Sequence, residues 1–393
     1  MSAVTSAGRI GRGSEVLPDE AYAAALLSLP GLWPARLAAL LGIGRSGRPE
    51  GGTGAAAGES GQAEARGSAR AAWALVRAGR AADRPAVRRL LREANPEAIA
   101  SHWAAAASRV DVGAAWSRYR RLGVCVDIKG DPGYPDRLGD DPSAPYVLFR
   151  SGANPDLEGR TVAIVGTRRC TPGGREIATE LGNALAARGV RVVSGLALGI
   201  DAAAHEGALA SPGAAPVGVV AGGLDRPYPV RHRTLWQRVG AAGVLMTEWP
   251  LGTMSEGWRF PARNRLIVAV SEVVVVVESR ESGGSLLTAQ LAMERGVPVL
   301  AVPGSIRSPA AAGTNRLLRD GASPACGVDD VLTALSLEPC AVTTARDRRP
   351  APRAEAAGVL AAMGWEPVST DALAARTRLS PPALAVLLAH LEL

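Results

Sequence analysis

Lysine is nearly missing from this chain of 393 residues: Lys129 is the only one, so almost every positive charge is an arginine. The formal charge of +7 is compatible with a nucleic-acid partner but does not require one. The abundance of alanine and glycine points to GC-rich coding as a second source of arginine. Cysteine is scarce too. Cys125, Cys170, Cys326 and Cys340 are scattered without a C-x-x-C pair, which argues against a disulfide framework and for reduced thiols in a cytoplasmic protein. The four histidines do not cluster, so no metal site is expected. Long apolar runs are lacking: the longest candidate, VVVVV at 273–277, is strand-sized, and no membrane span is expected. The first residues, MSAVTSAGRIGRGSEV, lack the continuous apolar core of a secretory signal. Aromatic residues make up only 4%, with two phenylalanines. What remains, 47% hydrophobic residues over this length, suits two or three globular domains.

The chain divides by texture. In an N-terminal region at 1–42, residues 19–42 read as two short helices broken at LPGLWP. A helix-hairpin-helix has this form, but Trp33 stands in the hairpin where that motif carries glycine, so simple helix packing is favoured. Residues 43–70 hold Gly, Ala, Ser and Arg with almost no large apolar side chain and read as a disordered low-complexity insertion. Helical patterning over 71–130 completes the N-terminal region. Beyond it, TVAIV (161–165), VRVVS (190–194), PVGVV (216–220), GVLMT (243–247), EVVVVV (272–277) and VPVLAV (297–302) alternate with amphipathic segments. Continuous apolar strands separated by helices predict an α/β domain over 131–336, a Rossmann-like doubly wound parallel sheet. A Pro/Arg-rich linker at 337–353 leads to three short helices at 354–393, spaced as in a helix-turn-helix. Ser369 or Thr370 is expected to cap the second, and Pro381 and Pro382 open the third.

In an open parallel sheet, ligands bind at the carboxyl ends of the strands. The loops leaving the strands therefore carry the candidate residues. GTRRCTPGG (166–174) is not G-x-G-x-x-G, so the dinucleotide fingerprint is absent. It is still a glycine-bounded loop opening a helix, from Gly166 through Arg168 and Arg169. A second loop offers Ser194 and Gly195, AGGLDRPYPVRH carries Arg231, and Ser282, Gly283, Gly284 and Ser285 precede a further helix. Glycine-rich loops at helix N-termini on one sheet edge, with Arg168, Arg231, Arg263 and Arg265 around them, favour a bound phosphate over plain turns. On the same rim, WRFPARNR (258–265) sets Phe260 among arginines and beside Asn264. The ring is either a core plug or a platform on which a base of single-stranded nucleic acid stacks while arginines hold its phosphates.

VAIVGTRR, SGLALGIDAAAH, AGGLDRPYP, RFPARNRLI, SGGSLLTAQLA and PGS followed by GTNRLLRDGA resemble, in order and spacing, the bacterial DNA-processing protein A family (DprA/Smf) over about 130–325. The resemblance implies a Rossmann-like DNA-binding domain, a sterile-alpha-motif-like N-terminal region and a winged-helix-like tail, here without its wing. It also implies a protein that is not an enzyme and needs no cofactor. Such a protein acts as a homodimer, binds and protects incoming single-stranded DNA, and loads RecA recombinase in natural transformation or recombination. Carried over residue by residue, Arg168 of GTR is the leading phosphate contact, and Arg231 takes the basic position after YP, shifted by Val230. Phe260, Arg263, Asn264 and Arg265 match F-P-x-R-N-R, and Ser282 to Ser285 match the S-G-S/T turn. With one lysine in the chain, lysine contacts of relatives are replaced by arginine or lost. The family's dimers use the end of the domain around GTNRLLRDGA (313–322), expected to be a short helix presenting Leu317 and Leu318.

A rival reading is a nucleotide phosphoribohydrolase of the lysine-decarboxylase-like type, which shares the architecture and carries G-G-x-G-T-x-x-E. Here the corresponding stretch, SGGSLLTAQ, has Gln290 and no acid until Glu294. Glu278, Asp201 and Asp225 remain as acids, none paired with a nucleophile or a metal cluster.

Overall fold

A computed structural model of the chain describes residues 16–42, 68–92, 94–154, 157–337, 353–363 and 368–392. It divides into two compact units, 1–339 and 340–393. The insertion expected at 43–70 lies outside the described residues as far as 67, and the helix after it begins at Ala69 rather than 71. The expected linker lies outside them from 338 to 352.

Among the described residues the first unit opens with the α-helices α1 (Asp19–Leu27), α2 (Pro34–Leu41), α3 (Ala69–Arg77), α4 (Pro85–Leu90), α5 (Pro96–Ala107) and α6 (Val112–Arg121). Local chemistry sets their starts. Proline occupies the first turn of α2, α4 and α5, where its missing N–H is no loss. Asn95 and Asp111 accept hydrogen bonds from the amides of Ala98 and Ala114 at the heads of α5 and α6. The Asp19 carboxylate accepts from Ala69 N at 2.7 Å and Arg70 N at 2.9 Å, so the first turn of α1 holds the first turn of α3. Leu26, Leu37, Trp73 and Trp103 of this bundle share one buried cluster with Phe149 and Leu245 of the sheet and with Leu196 of a loop at its edge. A single core therefore crosses the boundary expected at 130–131.

The rest of the unit runs β1 (Val124–Ile128), α7 (Asp136–Gly139), β2 (Val147–Gly152), β3 (Thr161–Val165), α8 (Pro172–Ala187), β4 (Arg191–Ser194), α9 (Ile200–Ala210) and β5 (Val217–Val219). It continues through α10 (Arg233–Ala242), β6 (Val244–Thr247), α11 (Arg259–Ala269), β7 (Val273–Val276), α12 (Gly284–Glu294), β8 (Val299–Ala301), α13 (Ala312–Arg319), β9 (Ser323–Pro324) and α14 (Val328–Ala334). The strands form one sheet in the order β1-β2-β6-β5-β4-β3-β7-β8-β9. From β6 to β9 along that order every pair is parallel. All six apolar runs read from the sequence supply strands of this parallel part, and strand order reverses between β3 and β7.

The sheet is nevertheless mixed. β1 and β2 add an antiparallel edge, β2 against β6, and β1 falls in a stretch expected to be helical. The reason is a tertiary contact. Asp127 interrupts the apolar pattern of β1 and is buried only because Arg150 of β2 binds it through Nε (2.7 Å) and Nη2 (3.0 Å).

The second unit holds α15 (Ala354–Met363), α16 (Thr370–Thr377) and α17 (Pro381–Glu392), packed on Val359, Leu373 and Leu384. Ser369 caps α16, its hydroxyl accepting from Ala372 N. Among the described residues of this unit there is no strand. Among the described residues of the chain, no helix is long and apolar enough to cross a membrane.

Helices α8 and α9 approach so closely that both contribute glycine to the contact. A Cβ on Gly207 would lie 2.0 Å from Thr179 O, and one on Gly182 would lie 2.3 Å from Ala204 O. In an open helix Gly→Ala would stabilise by roughly 0.8–1 kcal/mol, but here the obstacle is backbone and cannot swing aside. Gly207→Ala is therefore expected to lower stability by about 1–3 kcal/mol through overpacking, read as a lower urea midpoint.

Candidate functional site

Two loops at the carboxyl end of the sheet lock together before any side chain reaches solvent. Gly166 follows β3 where a Cβ would strike Ile200, 2.6 Å from its Cγ1. Gly199 has φ +79°, and a Cβ there would lie 2.3 Å from Thr167 O; only glycine meets both demands without strain. Ile200 N then donates to Thr167 O, and Thr167 N to Glu278 O at 2.8 Å. The loop carrying Arg168 is thus clamped between its neighbours, while the Arg168 and Arg169 side chains stay exposed.

Beneath this rim lies a buried polar floor. Arg263 donates through Nη1 to Gly195 O at 2.9 Å and also to Val219 O. The Asp201 carboxylate accepts from Gly195 N at 3.1 Å. A Cβ on Gly195 would lie 2.4 Å from the Arg263 guanidinium, so glycine is needed for the arginine to fit. Burial pushes the Asp201 carboxyl up, against the pull of the Arg263 charge, and pushes the Arg263 guanidinium down to about 10. His205 is buried beside them, Nε2 facing Val217 O at 3.1 Å, and burial lowers its pKa from 6.5 to about 4.

These contacts correct several expectations. Arg263 is a buried strut, so its guanidinium does not face a ligand. Arg265 is likewise engaged, with the buried Glu248 carboxylate and with Ser143 O. Ser194 is fully buried and donates to Ile164 O, and Gly195 contributes backbone beneath the surface. The amides expected to await a phosphate at the head of α8 are occupied: Glu278 accepts from Thr171 N and Oγ1, and Thr171 Oγ1 accepts from Gly174 N. Ser285 is buried, donating to Ser279 Oγ, while Ser282, Gly283 and Gly284 line a groove with Leu287, Met293 and Arg316. Leu317, expected at an exposed contact, sits in the core, and Leu318 packs half-buried against the same cluster. Of the acids open to a catalytic reading, Asp201 and Glu278 have the partners just given. Asp225 pairs with Arg118 at 2.6 Å and accepts from Gly252 N at 2.7 Å.

WRFPARNR is itself the head of α11. Positions 259 and 263 lie one turn apart and face inward, which is why both arginines are buried. Phe260 and Asn264 share the adjacent stripe, and both are half-buried. The Phe260 ring lies under the Arg168 guanidinium at 4.9 Å and beside Tyr228 at 5.3 Å, tilted 44°. Tyr228 is exposed, and the turn after it, Val230–His232, leaves Arg231 in solvent. Phe260 is therefore neither core plug nor bare plate: the Arg168 guanidinium lies over its ring and the tilted Tyr228 ring lies beside it. Tyr228 is not among the residues expected at the site, although in a chain with five tyrosines the YP of this loop is a signal. Among the described residues, no group of three or more His, Cys, Asp or Glu side chains could hold a metal ion.

A family model described as DNA recombination-mediator protein A matches residues 126–336, and one described as the DprA winged helix domain matches 343–393. A putative DNA processing protein DprA of Mycobacterium tuberculosis is 44% identical over 191 residues, 48% of this chain and 49% of its own length. The DNA processing protein DprA of Bacillus subtilis is 37% identical over 218 residues, 55% of this chain and 73% of its own. The chain thus spans about half the length of the mycobacterial relative. Among solved structures, DprA from Streptococcus pneumoniae superposes with a TM-score of 0.57 at 32% identity, over 65% of this chain and 85% of that one. A structure of the Helicobacter pylori protein, described by its single-stranded DNA binding mode, gives a TM-score of 0.50 at 29% identity, over 55% and 96%.

Two outcomes test the floor beneath the rim. Arg263→Met is expected to destabilise by about 3–5 kcal/mol in chemical denaturation, because it strands buried acceptors, whereas Arg168→Ala leaves the midpoint essentially unchanged. His205 is neutral in the fold and takes up a proton near pH 6.5 when unfolded, so its contribution to stability falls as pH drops from about 6.5 towards 4. Asp201, pushed up, works in the opposite sense. The His205 share is therefore the difference between the parent and His205→Gln profiles, expected to reach roughly 2–4 kcal/mol across that window.

Proposed function

The chain belongs to the DNA recombination-mediator protein A family, and we propose that it binds single-stranded DNA along the rim that carries Arg168, Phe260 and Tyr228. In this reading it protects incoming strands in the cytoplasm and, as a homodimer, loads RecA recombinase onto them, without catalysis, metal or cofactor. The observation that carries it is the half-buried Phe260 ring with an exposed guanidinium over it and an exposed tyrosine beside it. The binding mode named for the Helicobacter pylori structure supports it. The N-terminal helices and the three-helix tail are read as modules flanking the binding domain. A second copy is read as docking on α13 at Leu318, next to the groove that Leu317 and exposed Leu287 and Met293 line.

The geometry suggests how binding proceeds. Arg168 rests on the Phe260 ring, a contact worth about 0.5–1 kcal/mol at an exposed site. An arriving phosphate draws the guanidinium away and uncovers the ring, on which a base gains about 1–3 kcal/mol by stacking. The exchange favours the strand. Arg169 and Arg231 add charge to the path, and Asn264, one turn beyond Phe260, offers an amide to a base edge. Buried Arg263 and Arg265 act indirectly, by fixing the helix that presents the ring.

Titrating single- and double-stranded oligonucleotides against salt tests this reading. Preference for the single strand is expected. Arg168→Ala should weaken binding and reduce the log–log salt slope by roughly 0.7. Phe260→Ala should lower affinity roughly ten- to hundredfold at unchanged melting temperature, with Phe260→Tyr retaining most of it. Equal binding of both nucleic acids, or a Phe260→Ala variant that binds like the parent, would overturn it.

A further inference from the structure

On the other flank of the α11 head lies a second aromatic group that the rim site leaves unused. Trp258, at the N-cap, and Trp33, in the α1–α2 hairpin, have ring centroids 5.5 Å apart at 42°. Both are large apolar side chains left 46% and 48% exposed. Their surroundings hold the rings in place. Buried Trp249 meets Trp258 edge-on at 5.5 Å, and the Arg259 guanidinium lies 4.9 Å from the Trp258 centroid and 4.3 Å from that of Trp249. Trp258 Nε1 donates to the Glu256 carboxylate at 2.7 Å. Arg36, donating to Gly31 O, reaches over Trp33 at 5.3 Å.

We propose that Trp258 and Trp33 form a second base-stacking step for the same strand, carrying single-stranded DNA across the head of α11 and onto the N-terminal helices. This rests on the single-strand reading of the rim. Trp258 and Phe260 are two residues apart, so their Cα atoms lie within about 7.6 Å at the head of the helix, while their rings flank it on opposite sides. At 3.6 residues per turn their side chains leave α11 about 200° apart. A strand passing from one to the other therefore crosses the amide end of the helix, where the helix dipole favours phosphate. Arg36 adds a cation at the far side. Indoles already held by their neighbours lose little freedom on stacking, which suits a platform better than a loose surface residue. The alternative occupant, the contact alone, would make the pair an apolar clamp between the bundle and the sheet.

Oligothymidylates of about 4 to 16 nucleotides, the range of single-strand site sizes, separate these readings when titrated against the full chain by fluorescence anisotropy. Trp33→Leu and Trp258→Leu keep apolar bulk but lose the flat face. They are expected to bind the shortest strands within about twofold of the parent and the longest at least about fivefold more weakly. Trp258→Phe keeps a flat ring and is expected to stay within about twofold at every length, while losing the Trp258 share of the intrinsic fluorescence quench that grows with strand length, the Trp33 share remaining. That quench is read on a variant with intact affinity, so it stands apart from any folding defect of the leucine variants. Leucine variants that bind long strands like the parent, or a Trp258→Phe variant whose length-dependent quench is unchanged, would overturn the second step while leaving the rim intact. A parent that binds no oligothymidylate, or is insensitive to Phe260→Ala, overturns the rim reading and this one together.

Discussion

One buried guanidinium sets the geometry of the whole rim. Arg263 ties α11 to Gly195 after β4 and to Val219 at the end of β5, with Asp201 supplying the neighbouring negative charge. A charge taken from water needs acceptors and an opposite charge nearby, and Gly195 O, Val219 O and the Asp201 carboxyl stand around this one. That requirement fixes the rotation of α11 about its axis. With Arg259 and Arg263 turned inward, the next stripe of the helix, Phe260 and Asn264, is turned towards Arg168 and Tyr228. The outward face follows from the inward one.

Arginine serves two opposite purposes here, because the chain has a single lysine. A planar, weakly hydrated guanidinium can sit in a buried polar floor or lie over an aromatic ring; an ammonium does either less well. Arg150, Arg263 and Arg265 are spent on the fold, joining strands and helices across long sequence separations. Arg168, Arg169 and Arg231 remain in solvent. Net charge counts both groups alike, and only the second bears on a ligand.

Glycine shows the same division of labour. Gly166, Gly195 and Gly199 are placed where a Cβ would strike Ile200, Arg263 or Thr167. They let the loops press together, and the amides near them bind the chain's own carboxylates, Glu278 and Asp201. The anion-binding capacity of these loops is real, but it holds the rim in shape. What faces solvent is aromatic and cationic.

The sequence by itself determined the α/β class, the six parallel strands and the loops at their carboxyl ends, and it set Phe260 apart as a rare aromatic among arginines. All of these follow from short-range periodicity and from rare residues in telling company. It did not determine that WRFPARNR is helical, with Pro261 in the first turn of α11. Proline is tolerated in a first turn, whose amides have no partner within the helix. Nor did it determine the antiparallel β1–β2 edge, the burial of Arg263, Arg265 and Leu317, or the meeting of Tyr228 and Trp33 with α11. Each of these rests on contacts between segments far apart in the chain. A guanidinium carries the same letter whether it is buried under a glycine or free in solvent, and only the packing of helix on sheet decides which.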